Sequence, residues 1–309
     1  MSETGSSRMR ILITGAAGFL GRRLVAALLA RGYQADKLFL ADRVEFTPPP
    51  GTTALVGELA DPAYLDILAG LGCDSVFHLA ATLTLEAERD PAAAWAGHVA
   101  PVQRLVRASN RPRIVFASSI AVFGGDLPDP VQDDLRQTPT TSYGTQKAIV
   151  ELLLADHSRR REIDGRALRL PIVLTRPGAS LPVVSDQVAA IIREPLAGRE
   201  VDCPLSPETR IPVASVGAVV RALLALYDLP EAELPPGRAM NLPALTVSIA
   251  EMIAALGDAG RLVRMVPDPV TQKVVDGWPK RFVSAHASAL GIGADADLAA
   301  LIADYTGAR

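Results

Sequence analysis

The first half of the chain alternates short, almost wholly apolar runs with longer stretches in which apolar residues recur at helical spacing. Apolar runs without polar alternation are typical of strands buried on both faces, and their alternation with helices indicates a parallel sheet. We therefore predict an α/β fold with a doubly wound parallel sheet. The predicted strands cover residues 10–14, 38–41, 54–57, 75–79, 113–117 and 166–170, and the first helices cover residues 19–31 and 62–69.

The pattern changes near residue 171, where repeated prolines divide the chain into short segments. Helical periodicity returns later. Because the proline-rich segments interrupt the regular alternation of strands and helices, we predict two unequal domains. The later helices are expected at residues 213–227, 248–256 and 298–305. The predicted parts are a flexible polar tail over residues 1–8, a first domain over 9–170 to which segments near 213–241 return, and a smaller, mixed α/β lobe over 171–309.

Composition excludes several classes of protein. The 309 residues are 49% hydrophobic and 21% charged, which is ordinary for a globular protein and unlike a disordered chain. A formal charge of −3 gives no electrostatic attraction to nucleic acid or to an anionic membrane, so neither is expected as a partner. Cys73 and Cys203 are the only cysteines, and no residues have metal-ligand spacing. We expect a cytoplasmic protein without a bound metal.

A glycine-rich turn follows the first predicted strand at once and opens the first helix. Its glycines are Gly15, Gly18 and Gly21, the spacing with which a backbone turn admits the pyrophosphate of a dinucleotide. Asp42 ends the next strand, 21 residues after Gly21, where a carboxylate meets the adenosine ribose hydroxyls. A carboxylate there repels a 2′-phosphate, so NAD is predicted over NADP, although the neighbouring Arg43 is able to pair with that phosphate. The alternatives are a tight turn without a ligand and an aspartate that only starts a turn.

Further motifs occur after this turn in a fixed order. They are His-Leu-Ala-Ala at 78–81, Ser-Ser-Ile-Ala-Val-Phe-Gly at 118–124 and Tyr-Gly-Thr-Gln-Lys at 143–147. With the glycine turn and Asp42, they make the chain resemble the extended short-chain dehydrogenases/reductases, also called the NAD-dependent epimerase/dehydratase family. The resemblance implies a Rossmann-type first domain that binds NAD. It also implies cofactor contacts at Gly15, Gly18, Phe19, Leu20, Gly21, Asp42, Arg43, Glu58, Leu59, Leu79, Ala80, Ala81, Tyr143 and Lys147.

Tyr143 and Lys147 suit the oxidation of an alcohol. The hydroxyl proton must leave while hydride goes to the nicotinamide, so a base is needed at the alcohol oxygen. Residues four apart on a helix share a face, and a nearby ammonium favours the phenolate of a tyrosine. We predict Tyr143 as the base. The resemblance implies that Lys147 also holds the nicotinamide ribose and that Ser119 bonds the substrate oxygen, with Ser118 in that role if the register differs by one.

One position departs from the family pattern. Where members usually carry an asparagine that orders a water near the lysine, this chain has His98. The histidine either replaces that asparagine, and then titrates near neutral pH, or packs as a partly buried side chain.

The second half resembles a narrower branch, the D-erythronate dehydrogenases, which oxidise C2 of a four-carbon sugar acid with NAD. The matching segments are 176–178, 191–196, 241–243 and 277–282. The resemblance implies oxidation of D-erythronate to 2-oxo-erythronate, and a small anionic sugar acid requires a cation for its carboxylate. Expected substrate residues are Thr82, Ser119, Arg176 and Arg193, although the two arginines are equally suited to ion pairs between the lobes. A nucleotide-sugar epimerase or dehydratase and a uronate dehydrogenase are the alternatives. Many relatives dimerise through their fourth and fifth helices, so a homodimer is expected.

Overall fold

A computed structural model describes residues 9–81, 84–107, 111–174 and 184–307 of the protein. The strands are β1 (Ile11–Thr14), β2 (Leu38–Asp42), β3 (Thr53–Val56), β4 (Ser75–His78), β5 (Arg113–Ser119), β6 (Asp164–Leu170), β7 (Ile172–Val173), β8 (Val201–Cys203), β9 (Arg210–Ala214), β10 (Ala239–Asn241), β11 (Leu245–Ser248) and β12 (Val263–Met265).

The α-helices alternate with the strands through the first half of the chain and are shorter in the second. They are α1 (Phe19–Ala30), α2 (Pro62–Gly70), α3 (Thr84–Arg89), α4 (Pro91–His98), α5 (Ala100–Leu105), α6 (Ser142–Arg159), α7 (Val184–Leu196), α8 (Val216–Asp228), α9 (Ile249–Ala255), α10 (Pro269–Asp276), α11 (Ala285–Ala289) and α12 (Leu298–Gly307). In the part of the chain that the structure describes, no helix combines the length and apolar character needed to cross a membrane.

The main sheet has seven strands in the order β10-β6-β5-β4-β1-β2-β3. β1 pairs in parallel with both β2 and β4, and β2–β3 and β4–β5 are parallel as well. The order reverses between β1 and β4, which is the switch point at which open α/β sheets bind their ligands. The predicted Rossmann-type doubly wound sheet is therefore confirmed.

The chain divides into two compact units. Unit 1 comprises Met1–Ser118, Thr141–Leu168 and Leu223–Ala239, and unit 2 comprises Ser119–Thr140, Arg169–Ala222 and Met240–Arg309. In unit 1, apolar side chains of the sheet pack against α2, α5 and α6, and Leu12, Val76 and Ile114 are completely buried or nearly so. Burial of this kind on both sheet faces explains why the strands carry no polar alternation.

Unit 2 has its own core around a small mixed sheet. In this sheet β9 pairs in antiparallel fashion with β11 and in parallel with β7, while β12 and β8 form a separate parallel pair. Apolar residues of α7 and α9 pack on it, among them Ile191, Ile192 and Met252. The smaller mixed α/β lobe expected in the second half of the chain is thus present, whereas its exact boundaries and its role remain predictions.

The helix predicted at residues 213–227 begins later than expected. Val213 and Ala214 are the end of β9, and α8 starts at Val216 because Ser215 interrupts the apolar run. The Ser215 hydroxyl accepts a hydrogen bond from the Ala218 N–H at 3.0 Å. Asp295 in turn accepts the Ser215 N–H at 2.7 Å and the Ser215 hydroxyl at 2.6 Å. A residue 80 positions away therefore fixes this strand-to-helix junction.

Candidate functional site

The glycine turn after β1 is too crowded for any other residue at two of its positions. Gly15 has a φ of +74°, and a Cβ there would lie 2.8 Å from the backbone nitrogen of Ala80. A Cβ on Gly21 would lie 2.3 Å from the carbonyl oxygen of Gly15 and 2.7 Å from the Cα of Ala16. The first contact brings β4 close to the turn, and the second brings α1 close to β1. Both are the close approaches for which a dinucleotide-binding turn uses glycine.

The first turn of α1 is suited to an anion. Gly18 is the N-cap and has no side chain to bond the helix N–H groups, and the first turn contains no acidic residue. Helix N-terminal N–H groups carry a partial positive charge and favour phosphate. Phe19 and Leu20, which begin the helix, are half-buried. The turn therefore fits the pyrophosphate of NAD.

Asp42 ends β2 next to this turn. One oxygen of its carboxylate accepts the Ala17 N–H at 2.8 Å, and the other accepts the Val44 N–H at 3.3 Å. A carboxylate has about four acceptor positions, so acceptor capacity remains for the hydroxyls of a ribose. Arg43 and Glu58 are exposed beside it and Leu59 is half-buried, which leaves this end of the sheet accessible.

The end of β4 forms the other side of the turn. His78 is buried, and its Nδ1 lies 2.8 Å from the Thr14 hydroxyl, while its Nε2 has no hydrogen-bond partner among the described residues. Burial above all, and then the charge of Lys147, lowers the pKa of His78 to about 3. The imidazole is therefore neutral and holds β4 to β1. Leu79 and Ala80 after it are half-buried and Ala81 is exposed.

Lys147 lies on α6, whose first turn is capped by the Thr141 hydroxyl. The Lys147 ammonium is buried, donates to the Ala117 carbonyl at 2.8 Å and lies 4.4 Å from the centre of the Phe116 ring. Burial lowers its pKa to about 7, and the negative charge of Glu151 opposes that shift. The half-buried Tyr143 ring is centred 5.5 Å from the ammonium nitrogen. The two side chains predicted to act together are thus adjacent, one helical turn apart.

His98 is buried and packed rather than open to solvent. Its ring meets the Tyr143 ring edge to face, with the ring centres 5.7 Å apart. Its Nδ1 lies 2.8 Å from the Gln146 side-chain oxygen, and the Gln146 amide nitrogen donates to the Pro91 carbonyl at 3.1 Å. α4 is in this way joined to α6 beside the tyrosine.

The two serines at the end of β5 have different surroundings. The Ser118 hydroxyl is buried and donates to the Glu151 carboxylate in unit 1. Ser119 belongs to unit 2, is half-buried, and its hydroxyl accepts the Ala121 N–H at 3.1 Å. Because the Ser118 hydroxyl is enclosed and engaged, Ser119 is the better placed of the two for a substrate.

Arg193 does not offer a free cation. Its guanidinium is 2% exposed and bonds the two carboxylate oxygens of Asp186, which is equally buried, at 2.8 and 3.1 Å. Its Nε donates to Glu194 at 2.7 Å. Arg193 is therefore ion-paired, but with two residues of its own helix α7 rather than between lobes. Thr82 and Arg176, the other expected substrate residues, lie outside the described residues.

Gln146 and Glu151 line this site and were not singled out from the sequence. Both lie one helical turn from predicted residues, Gln146 three positions after Tyr143 and Glu151 four after Lys147. Residues at these spacings share a helix face, and this is the signal that would have found them.

Comparison with known proteins agrees with this geometry. Residues 11–242 match the NAD dependent epimerase/dehydratase family, and the chain belongs to that family. It is 39% identical over 321 residues to D-erythronate dehydrogenase of Cupriavidus necator, covering 96% of this chain and 98% of the relative. It is 34% identical over 310 residues to D-erythronate dehydrogenase of Haemophilus influenzae, with the same coverage. The crystal structure of a nucleoside-diphosphate-sugar epimerase from Agrobacterium tumefaciens superimposes with a TM-score of 0.89 at 34% identity, covering 95% of this chain and 92% of that one.

The family resemblance predicted from the motifs is thereby confirmed. The chain is an enzyme of the dehydrogenase type, and its cofactor is of the NAD type. The geometry of the glycine turn and the position of Asp42 agree with a cofactor of this type.

Proposed function

We propose that the protein oxidises the C2 hydroxyl of a small sugar acid with NAD, and that its substrate is D-erythronate, which becomes 2-oxo-erythronate. The observation that carries the proposal is the pairing of Tyr143 with a buried Lys147 on α6. Two relatives named D-erythronate dehydrogenase, each aligned over nearly its whole length, support the choice of substrate.

The cofactor would be held by the turn at Gly15, Gly18 and Gly21 and by Asp42. When bound, NAD supplies the acceptor for the hydride that leaves C2. The N–H groups of α1 would bind its pyrophosphate, and the Asp42 carboxylate would accept the adenosine ribose hydroxyls. Because that carboxylate repels a 2′-phosphate, NAD is proposed over NADP.

Tyr143 would take the proton of the C2 hydroxyl. The Lys147 ammonium lowers the cost of a phenolate beside it and would also hold the nicotinamide ribose. Ser119 would donate to the same substrate oxygen and fix its position. For the substrate carboxylate, Thr82 and Arg176 remain the proposed ligands, since the Arg193 guanidinium is already bonded to two carboxylates.

The test is an NAD-reduction assay with D-erythronate beside a panel of aldonic and uronic acids of four to six carbons. We expect NADH formation with D-erythronate, and loss of that activity in Tyr143→Phe while NAD still binds. Preference for a cyclic uronic acid would instead identify a uronate dehydrogenase, which oxidises C1. No turnover of any acid in the panel would contradict the proposal.

A nucleotide-sugar epimerase or dehydratase is the second candidate. The similarity to a solved nucleoside-diphosphate-sugar epimerase favours it. An epimerase would retain stoichiometric NAD through purification and form no net NADH, so denaturing the protein and quantifying the released cofactor separates the two.

A homodimer is the proposed assembly. Trp95 on α4 is 43% exposed and Leu152 on α6 is 64% exposed. These two helices, which carry His98 and Tyr143, correspond to the fourth and fifth helices of the relatives, through which a dimer is expected. Large apolar side chains on a surface are typical of protein contacts when they occur together.

A further inference from the structure

Two hydrogen bonds join β5 to α6 directly behind the tyrosine and lysine. Lys147 donates to the Ala117 carbonyl at 2.8 Å, and the next residue of the strand, Ser118, donates its hydroxyl to Glu151. All of these groups belong to unit 1. The strand therefore holds both the cation and the carboxylate of the helix.

Lys147 and Glu151 are four residues apart on α6, so both side chains project from one face of the helix. Lys147 is 2% exposed and Glu151 is 4% exposed. A buried ammonium is costly unless an opposite charge lies near it. The Ser118 hydroxyl donates to the Glu151 carboxylate and so fixes its position on this face of the helix.

Other titratable side chains also lie around Lys147, and those among the described residues are a tyrosine and two histidines rather than carboxylates. Tyr143 on the same helix is the predicted base, and His78 on β4 is a neutral imidazole. His98 on α4 contacts Tyr143 and Gln146. Glu151 is the carboxylate that favours the charged form of the lysine.

We propose that Glu151, fixed by the Ser118 hydroxyl, is a positioning residue that keeps the Lys147 side chain charged and in place beside Tyr143. It acts through the lysine and does not itself touch the substrate. The inference rests on the proposed function in one respect only, namely that a charged Lys147 assists the reaction.

The first experiment measures the lysine directly and needs no substrate. The chain has four lysines, at positions 37, 147, 273 and 280, so protein labelled with ¹³C at the lysine Cε carbons gives few signals, and Lys147→Met assigns one of them. In Glu151→Gln the amide keeps the shape and still accepts from Ser118 but lacks the charge. We expect the pKa of Lys147 to fall by about one unit in this variant.

The matched control is Asp156→Asn, which makes the same change of acid to amide on the same helix at an exposed position paired with Arg159. It is expected to leave the Lys147 titration unchanged. An unaltered Lys147 pKa in Glu151→Gln, or an equal fall in both variants, would overturn the proposal.

A second variant covers the case in which Glu151→Gln does not fold. Ser118→Ala retains the carboxylate but removes the bond that holds it, so Lys147 is expected to lose its proton at lower pH than in the wild type, by a smaller amount than in Glu151→Gln. An unchanged titration in Ser118→Ala would then overturn the proposal.

The kinetic arm uses the pH profile of kcat/KM. Loss of the Glu151 charge moves deprotonation of Lys147 to lower pH, so the alkaline limb of activity shifts to lower pH, whereas a purely structural role reduces activity equally at every pH. If no sugar acid is turned over, the pH profile cannot be measured, and that result counts against the proposed function. The NMR titration of Lys147 still decides the role of Glu151.

Discussion

The carboxylate of Asp42 accepts the N–H of Ala17 at 2.8 Å and thereby fixes the glycine turn that precedes α1. The side chain proposed to select the ribose is thus also part of the scaffold of the pyrophosphate site. Cofactor choice and turn geometry are coupled through this one residue.

Two substitutions at Asp42 separate these effects. Asp42→Asn keeps an acceptor for Ala17 and removes the charge, so we expect NADP to become usable while the turn is preserved. Asp42→Ala loses both, and we expect the KM for NAD to rise about tenfold or more, because a hydrogen bond to a charged group contributes about 1.5–3 kcal/mol. Steady-state kinetics with both cofactors measure this. If Asp42→Asn excludes NADP as strictly as the wild type does, the charge of Asp42 is not what selects NAD over NADP.

Adding a methyl group at Gly21 should abolish cofactor binding. The new Cβ of Gly21→Ala would lie 2.3 Å from the Gly15 carbonyl oxygen, so α1 must move away from β1. The expected result is loss of NAD binding by calorimetry, together with a loss of stability of about 1–3 kcal/mol, as is usual for overpacking. Gly70→Ala is the control, since a Cβ at that position on α2 meets nothing within 4 Å. NAD binding by Gly21→Ala at wild-type affinity would show that the turn is not the pyrophosphate site.

The buried Lys147 makes the free energy of unfolding depend on pH in the alkaline range. Its pKa in the folded protein is about 7, below the ordinary value of 10.5, so between these values the unfolded chain binds more protons than the native state. Stability from this group therefore rises as pH increases from about 7 to about 10. Lys147→Met removes the titration, and we expect the free energy of unfolding in urea to rise less over this range than it does in the wild type. Parallel curves for the two proteins would refute the assignment of a depressed pKa.

Removal of the Arg193 cation should affect stability rather than substrate binding. Arg193→Met removes the guanidinium that bonds the buried Asp186 carboxylate, and breaking such a pair costs about 3–5 kcal/mol. The double variant Arg193→Met/Asp186→Leu is expected to recover much of that loss. Thermal unfolding and the KM for the sugar acid are measured together, and the KM of the double variant should be that of the wild type. A large rise in that KM at full stability would restore Arg193 as a substrate ligand.

The proposed dimer is tested on α4 and α6. We expect Trp95→Glu combined with Leu152→Glu to shift the protein from dimer to monomer in analytical ultracentrifugation, since each change places a charge on an apolar surface. Ile67→Glu on α2, where the side chain is 57% exposed, is the matched control and should remain dimeric. If the wild-type protein is monomeric at micromolar concentration, the proposed homodimer is wrong.

Much of the fold follows from the sequence because each element of the first half has a local signal. The apolar strands, the glycine turn and the position of Asp42 depend on residues close together in the chain, and the structure has the order that these signals predict. Tyr143 and Lys147 were recognisable because helical spacing alone brings them together.

The parts that the sequence misses depend on distant or ambiguous partners. The apolar residues of β9 and α8 form an almost continuous run, so the boundary at Ser215 is decided by Asp295, far away in sequence. The burial of Arg193 depends on Asp186 lying two helical turns before it, a spacing that is equally common on solvated helices. Glu151 gains significance only from its hydrogen bond with Ser118, which lies on β5 and is 33 residues earlier in the sequence.

The link between Ser215 and Asp295 also has a consequence for the order in which the chain acquires its structure. During synthesis, α8 leaves the ribosome before the residue that completes its N-terminal junction has been made. That junction therefore forms only after the chain has been made through Asp295, and a chain truncated before Asp295 would have an incompletely bonded start to α8. A deletion that removes Asp295 will accordingly weaken the start of a helix that lies about 80 residues earlier in the sequence.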